Sequence, residues 1–257
     1  MTPADIERIK ELLPTSLGSD EIRREIAADI LRRSVFSARM ENARYLAKIR
    51  EVATAMLEGR ISQADARNTL EGLLDQMGHS MADPGGLANP ASIRRLNLIL
   101  ETQTQMAASV AQLEEQTDDV VAMWPAWELM RLEDRRAPRP DWAARWNLAG
   151  ESVGWDGALP THIGGRMVAL KSSPIWAALG QGVGGFRDTL GNPYPPFAYS
   201  SGMGWEDLGR DECEALGLIK PGAKIDKPQS SISLAPDIAQ LREAAERYGF
   251  DFEKGLI

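Results

Sequence analysis

Apolar residues recur every three or four positions through much of the first half of the chain. Ile22, Ile26 and Ile30, then Leu46, Ile49, Val52 and Met56, form one stripe between Ser19 and about Leu57, the spacing of a helix that buries one face. Ser19 and Asp20 offer capping oxygens at its start and Gly59 a stop. Read without interruption, this is a helix of roughly 40 residues, roughly 60 Å long. The segment RRSVFSAR in its middle, with β-branched Val35 and two serines, is the place for a kink or break. A second helix is predicted over residues 62–77. Ser62 and Asp65 form a capping box, Leu70, Leu73, Leu74 and Met77 supply the apolar face, and Gly78 closes it. The short connection makes these two helices an antiparallel hairpin. After a loop, Asn89-Pro90 predicts the start of a third long helix, with Ile93, Leu96, Ile99 or Leu100, Ala107 and Val110 on its stripe and its end near Glu115. Asp118 or Asp119 is a cap for a further short helix through WPAWELMRLE.

Beyond Arg131 the periodicity weakens and prolines, glycines and tryptophans multiply. Helical spacing survives at 141–148 and 211–216, and LMRLED and GRMVAL are candidate strands. The predicted class is α+β, mainly α: a long N-terminal helical hairpin and third long helix, a compact Pro/Gly/Trp-rich α+β domain, and a C-terminal helix. The corresponding segments are 1–118, 119–219 and 220–257, the last a Pro/Ser linker followed by an amphipathic helix carrying Ile238, Leu241, Ala245 and Tyr248 on one face.

Composition narrows the function classes. The chain has 257 residues, 43% hydrophobic and 26% charged, enough for one sizeable core or two modest ones. A net charge of -8 argues against a surface made basic throughout for nucleic acid. One cysteine, Cys213, excludes an internal disulfide and suits a reducing compartment. The charged opening lacks the apolar core of a secretory signal, and no run is long enough to cross a bilayer. A soluble protein folded in a cytoplasm is expected.

Candidate chemistry is sparse. GQGVGG satisfies G-x-G-x-x-G through Gly180, Gly182 and Gly185, but it follows the helix-like PIWAAL, whereas a phosphate site needs a strand before and a helix after. Two histidines and one cysteine, far apart, give no metal-ligand spacing. His162, with Glu133 or Asp156 as partner, is the best acid–base candidate if the protein is a hydrolase or transferase. Acidic neighbours oppose a thiolate at Cys213. No catalytic, cofactor or metal residue is assigned. Residues 21–60 carry nine Lys/Arg against six Asp/Glu, and Arg32, Arg33, Arg39 and Arg44 are the candidate DNA contacts of a packaging accessory factor. The stretch GNPYPPFAYSSGMGWEDLGRDECEALGLI is expected to hold its aromatics rigidly between prolines and glycines. It is read first as a connector closing the α+β domain and second as a docking surface, with Tyr194, Phe197, Tyr199 and Trp205 as the candidate docking residues.

Several strings in order resemble one family. RSVFSARMENARYLAKI, ASIRRLNLILETQTQMA, WPAWELMRLEDRRAPRPDWAARWNLAG, GGRMVALKSSPIWAAL and NPYPPFAYSSGMGWEDLGRDECEALGLI are similar to successive blocks of tailed-bacteriophage minor head proteins, the head-morphogenesis or Mu protein F-like group. The likeness spans about Arg33 to Ile219. It implies a structural, non-enzymatic virion protein, made in the host bacterial cytoplasm and present in a few copies, more than one, per particle. Portal and capsid proteins are the implied partners, with possible DNA contact, no membrane and no cofactor. The chain lacks the His/Pro/Cys-rich ending of many members, so no metal role transfers.

Overall fold

A computed structural model describes residues 1–26, 28–79, 87, 89–134, 137–154 and 165–228. The fold is mixed α and β and mainly helical, with two small sheets among the described residues. It divides into two compact units, one holding Met1–Ala111 and the other Gln112–Ser231.

The first unit opens with α1, Pro3–Ile9, whose start is set by Thr2: its hydroxyl accepts from the Asp5 N–H at 3.2 Å while the Asp5 carboxylate accepts from Thr2 N–H. Pro3 fits the first helical position, where no N–H is needed. The segment is not one uninterrupted helix: it breaks at RRSVFSAR, the place its residues marked for a break. It holds α2 (Ser19–Glu25), α3 (Ala28–Arg32), a two-residue strand β2 (Ser34–Val35) and α4 (Ala43–Leu57). The break has a local cause. The Ser34 hydroxyl donates to the Ile30 carbonyl at 2.8 Å, beside the Arg33 N–H that donates to the same oxygen at 3.1 Å, and the two close the end of α3. Val35 then prefers an extended backbone and pairs in parallel with β1, Glu11–Leu12. Arg39 turns the chain with φ +56°, and Asn42 caps α4 by accepting from Tyr45 N–H at 2.9 Å.

The apolar stripe was therefore real on both sides of a break that it did not reveal. Ile22, Ile26 and Ile30 join Leu13 and Leu31 in one cluster. Leu46, Ile49 and Val52 lie in another with Val35, Tyr45, Leu70, Leu74, Leu96 and Leu100. That second cluster joins α4 to α5 (Gln63–Gln76) and to α6 (Ile93–Glu114). Ser62 and Asp65 make the expected capping box of α5, and α4 and α5 pack together across the short turn 58–62. α6 spans 22 residues, about 33 Å. It starts later than expected: Asn89 accepts from Ala91 N–H in a preceding turn, and the Ser92 hydroxyl accepts from Arg95 N–H.

A buried charge pair fastens α1. Lys10 and Glu7 contact at 2.6 Å with side chains 3% and 0% exposed. Lys10 also donates to Gln103 Oε1 at 2.7 Å, and Arg50 donates to the Lys10 carbonyl at 2.7 Å. Burial pushes the Glu7 carboxyl up, against the pull of Lys10 and Arg50.

In the second unit, α7 (Asp118–Met123) is capped by Thr117, whose hydroxyl accepts from Val120 N–H. The helix expected through WPAWELMRLE ends at Trp124, because Pro125 follows, and the chain continues as strand β3, Ala126–Arg131. β3 is the centre of a three-stranded antiparallel sheet of order β4-β3-β5, with β4 at Val168–Leu170 and β5 at Met203–Leu208. α8 (Trp142–Ser152), α9 (Ile175–Gln181) and α10 (Arg210–Ala215) complete the described elements. The C-terminal helix expected in 235–250 and the end of its linker, from residue 229, lie outside the described residues.

Replacing Lys10 by Met is expected to destabilise the protein by about 3–5 kcal/mol, since it strands a buried carboxylate. Replacing Glu7 by Leu in the same chain should recover most of that loss in urea unfolding.

Candidate functional site

The Trp-rich segment builds the centre of the second unit. In the sheet, Trp127 lies opposite Asp207 and Leu129 opposite Trp205, so all four share one face. Trp127 and Trp205, diagonal neighbours on adjacent strands, stack with centroids 3.8 Å apart and planes 7° from parallel. Trp176 of α9 meets both edge-on, at 5.9 and 5.7 Å. Phe197 meets Trp205 at 6.0 Å, and Trp146 of α8 lies 5.3 Å from Trp176. Offset and edge-to-face geometry of this kind adds about 0.5–1.5 kcal/mol per pair to the burial itself.

Charged side chains frame the cluster and are each occupied. Lys171, its side chain 0% exposed, contacts Asp207 at 2.6 Å and Gln116 at 2.8 Å. The same Asp207 oxygen accepts from the Trp127 indole N–H at 2.9 Å, and burial lowers the Lys171 ammonium below the usual lysine range. Arg145 of α8 bridges Asp141 and Asp188 while lying over Phe186 at 4.1 Å, and Arg139 reaches Asp188 at 3.1 Å. Burial pushes the Asp188 carboxyl up. The bonds and charges of Arg145, with Arg139, outweigh that and hold it below the ordinary aspartate value. Arg166 bridges Glu128 and Glu212 on the other face of the sheet. Cys213 is buried, and burial first, then Glu212, pushes its thiol up to about 11.

The 191–202 segment fits onto α9 through glycine. Gly191 N–H donates to the Gly180 carbonyl at 2.9 Å, and a Cβ at Gly180 would lie 1.7 Å from the Asn192 carbonyl oxygen. Gly182 stops α9 with φ +71°. GQGVGG is thus a helix C-terminus and a close backbone crossing, the opposite end of a helix from the one that binds phosphate.

The docking assignment is corrected for three of its four residues. Tyr194 and Phe197 are fully buried and Trp205 is 5% exposed. Apolar rings in a stretch this short fold against the sheet, where they remove far more surface from water than a docking edge would allow. Tyr199 is half-buried, with its N–H donating to the Asp188 carbonyl. The four arginines do not share a helical stripe. Arg32 ends α3, Arg33 lies in the turn after it, Arg39 holds the left-handed turn and Arg44 stands in the first turn of α4. Arg39 and Arg44 are exposed, Arg32 and Arg33 partly so. His162 and Asp156 lie outside the described residues, while Glu133 is exposed with its N–H on the Gly202 carbonyl.

Sequence reasoning missed Glu7, Lys10, Lys171 and Asp207. Thr2, Pro3 and Asp5 were a legible cap signal for α1, but nothing in a lone lysine or glutamate marks it as buried. Among the described residues no group of three or more His, Cys, Asp or Glu is placed to hold a metal ion, and no helix is long and apolar enough to cross a membrane.

Gly180→Ala is expected to destabilise the protein by more than about 2 kcal/mol, because backbone must move to admit the methyl group. The Asp188 contribution follows from its lowered value: present in full above about pH 4 and lost as pH falls through the depressed folded-state value. In Asp188→Asn, that part of the acid-induced loss of stability should disappear from urea melts compared between pH 6 and pH 2.5.

No protein-family model, curated protein or solved structure matches the chain.

Proposed function

We propose that the protein is a non-enzymatic structural component of a tailed-phage particle, a minor head protein that works with portal and capsid subunits in head assembly or in DNA packaging and delivery. One observation carries this reading: the ordered blocks that resemble such proteins are the blocks that build both cores. RSVFSARMENARYLAKI supplies the buried Val35, Met40, Tyr45, Leu46 and Ile49, and ASIRRLNLILETQTQMA supplies Leu96, Leu100 and Met106. The later blocks supply Trp127, Trp146, Trp176, Phe197 and Trp205. The likeness therefore covers fold-determining positions along both units, which a chance match to one loop would not do.

The chemistry of the described side chains supports the same direction. Cys213 is held as an unreactive thiol, and Lys171, Asp207, Arg145 and Asp188 are each committed to ties between segments. Such ties rigidify a subunit that must keep its shape among partners.

The test is mass spectrometry and quantitative gel analysis of purified particles from a host producing this chain. It should be present in a small fixed number per head, and deleting its coding sequence should give heads that fail to mature or to deliver DNA. Its absence from particles, or catalytic turnover by the isolated protein, would overturn the proposal.

A further inference from the structure

Three side chains from different parts of the second unit meet at the Lys171 amine. Lys171 directly follows β4, Asp207 stands on β5, and Gln116 lies in the turn between α6 and α7. Lys171 Nζ contacts the Asp207 carboxylate at 2.6 Å and donates to Gln116 Oε1 at 2.8 Å. The Gln116 amide is fixed at both ends, since its Nε2 donates to the Gln112 carbonyl at 2.7 Å. A lysine ammonium only donates and a main-chain carbonyl only accepts, so the amide fits one way round. Adding a C=O bond of about 1.23 Å places the amide carbon Cδ no more than about 4 Å from Nζ. The face of Trp127 lies 5.2 Å from the same nitrogen, and the lysine side chain is wholly shut from water.

An amine, a carboxamide and a carboxylate are the two reactants and the proton carrier of a transamidation. The amine must be neutral to attack. Burial lowers the Lys171 ammonium below the usual lysine range, and Asp207 is in contact to take its proton. Nζ then adds to Cδ, and the tetrahedral carbon expels Nε2. The Nζ–Cδ bond forms and the Cδ–Nε2 bond breaks. The lysine gives up two protons, one before the attack and one during it. Both pass through Asp207 to the leaving nitrogen, which departs as ammonium, so atoms and charge balance with no redox partner. Gln116 is half-buried and the Asp207 side chain 38% exposed, which leaves the ammonium a way out to water. Lys10, Glu7 and Gln103 repeat the trio in the first unit, with contacts of 2.6 and 2.7 Å. All three of those residues are buried. Ammonium released there would stay beside the new bond and reverse it, so that trio remains an ion pair.

We propose that Lys171 and Gln116 join in an isopeptide bond that the folded chain forms on itself, with loss of one ammonia and with Asp207 carrying the protons. The event happens once per chain, is not turnover, and does not depend on the particle reading. It closes the chain between residues 116 and 171 and so ties the start of the second unit to its sheet. The test is intact-mass spectrometry of the denatured full-length protein after purification and incubation at neutral pH. The mass should fall short of the sequence mass by one ammonia. Trypsin should release a branched peptide joining residues 96–131 to 167–187, because the modified Lys171 is no longer cleaved. Lys171→Arg and Gln116→Ala should each show their own full sequence mass. Asp207→Asn keeps an acceptor for Lys171 and for the Trp127 indole but carries no proton. With its near-ultraviolet circular dichroism unchanged, it should form the bond about a hundredfold more slowly. A full sequence mass in the unmodified chain would overturn the proposal, whatever the variants do. Loss of water with a branch from Lys171 to Asp207 would overturn it too, as would loss of ammonia mapped to any other pair, Lys10 and Gln103 included, or an undiminished rate in Asp207→Asn.

Discussion

The second unit depends on the stack of Trp127 on Trp205 across the centre of a sheet with only three strands. Sheets of this size have little face to bury and are marginal by themselves. Two indoles in parallel contact supply much of the missing area from adjacent strands, and Trp176, Phe197 and Trp146 extend it onto α9, the proline-rich segment and α8. Lys171 and Asp207 close the edge of the stack, since Asp207 receives both the lysine and the Trp127 indole N–H. Burying the Lys171 ammonium is tolerable because it meets the Asp207 carboxylate and the Gln116 side-chain oxygen. The arrangement explains why so many large rings fit a segment with so little regular structure.

The first unit solves a comparable problem by different means. α2 and α3 are short, and α4 begins only at Ala43, because RRSVFSAR bends into a strand that pairs with residues 11–12. The apolar faces of α4, α5 and α6 form the larger cluster, and α1 is fastened by a buried Glu7–Lys10 pair. A charge pair at that place fixes how α1 sits, since an apolar contact would tolerate sliding by a residue.

Local signals were legible where one short segment decides the outcome. The Ser62/Asp65 box, the α4 and α5 stripes, α8, α9, α10 and the strand character of LMRL and MVAL all follow from neighbours within a turn or two. The serines and β-branched Val35 of RRSVFSAR marked the place of the break, but the pairing with residues 11–12 that fixes it is a long-range event that periodicity does not encode. Strand β5 was missed for a related reason. Asp207 points to the core face, which spoils the alternation in MGWEDL, and only the spatially adjacent Lys171 makes that acceptable. The aromatic stretch was legible as a rigid connector, yet its rings could not be assigned to core or surface before their neighbours in β3 and α9 were known.

The Trp127–Trp205 contact is the joint on which the second unit closes. A double-mutant cycle at these two positions, with Leu at each and unfolding followed in urea, measures that joint directly. A coupling free energy of about 1 kcal/mol or more, with loss of the near-ultraviolet circular dichroism of stacked indoles in either single variant, is the predicted result. Additive effects with the indole signal retained would contradict it.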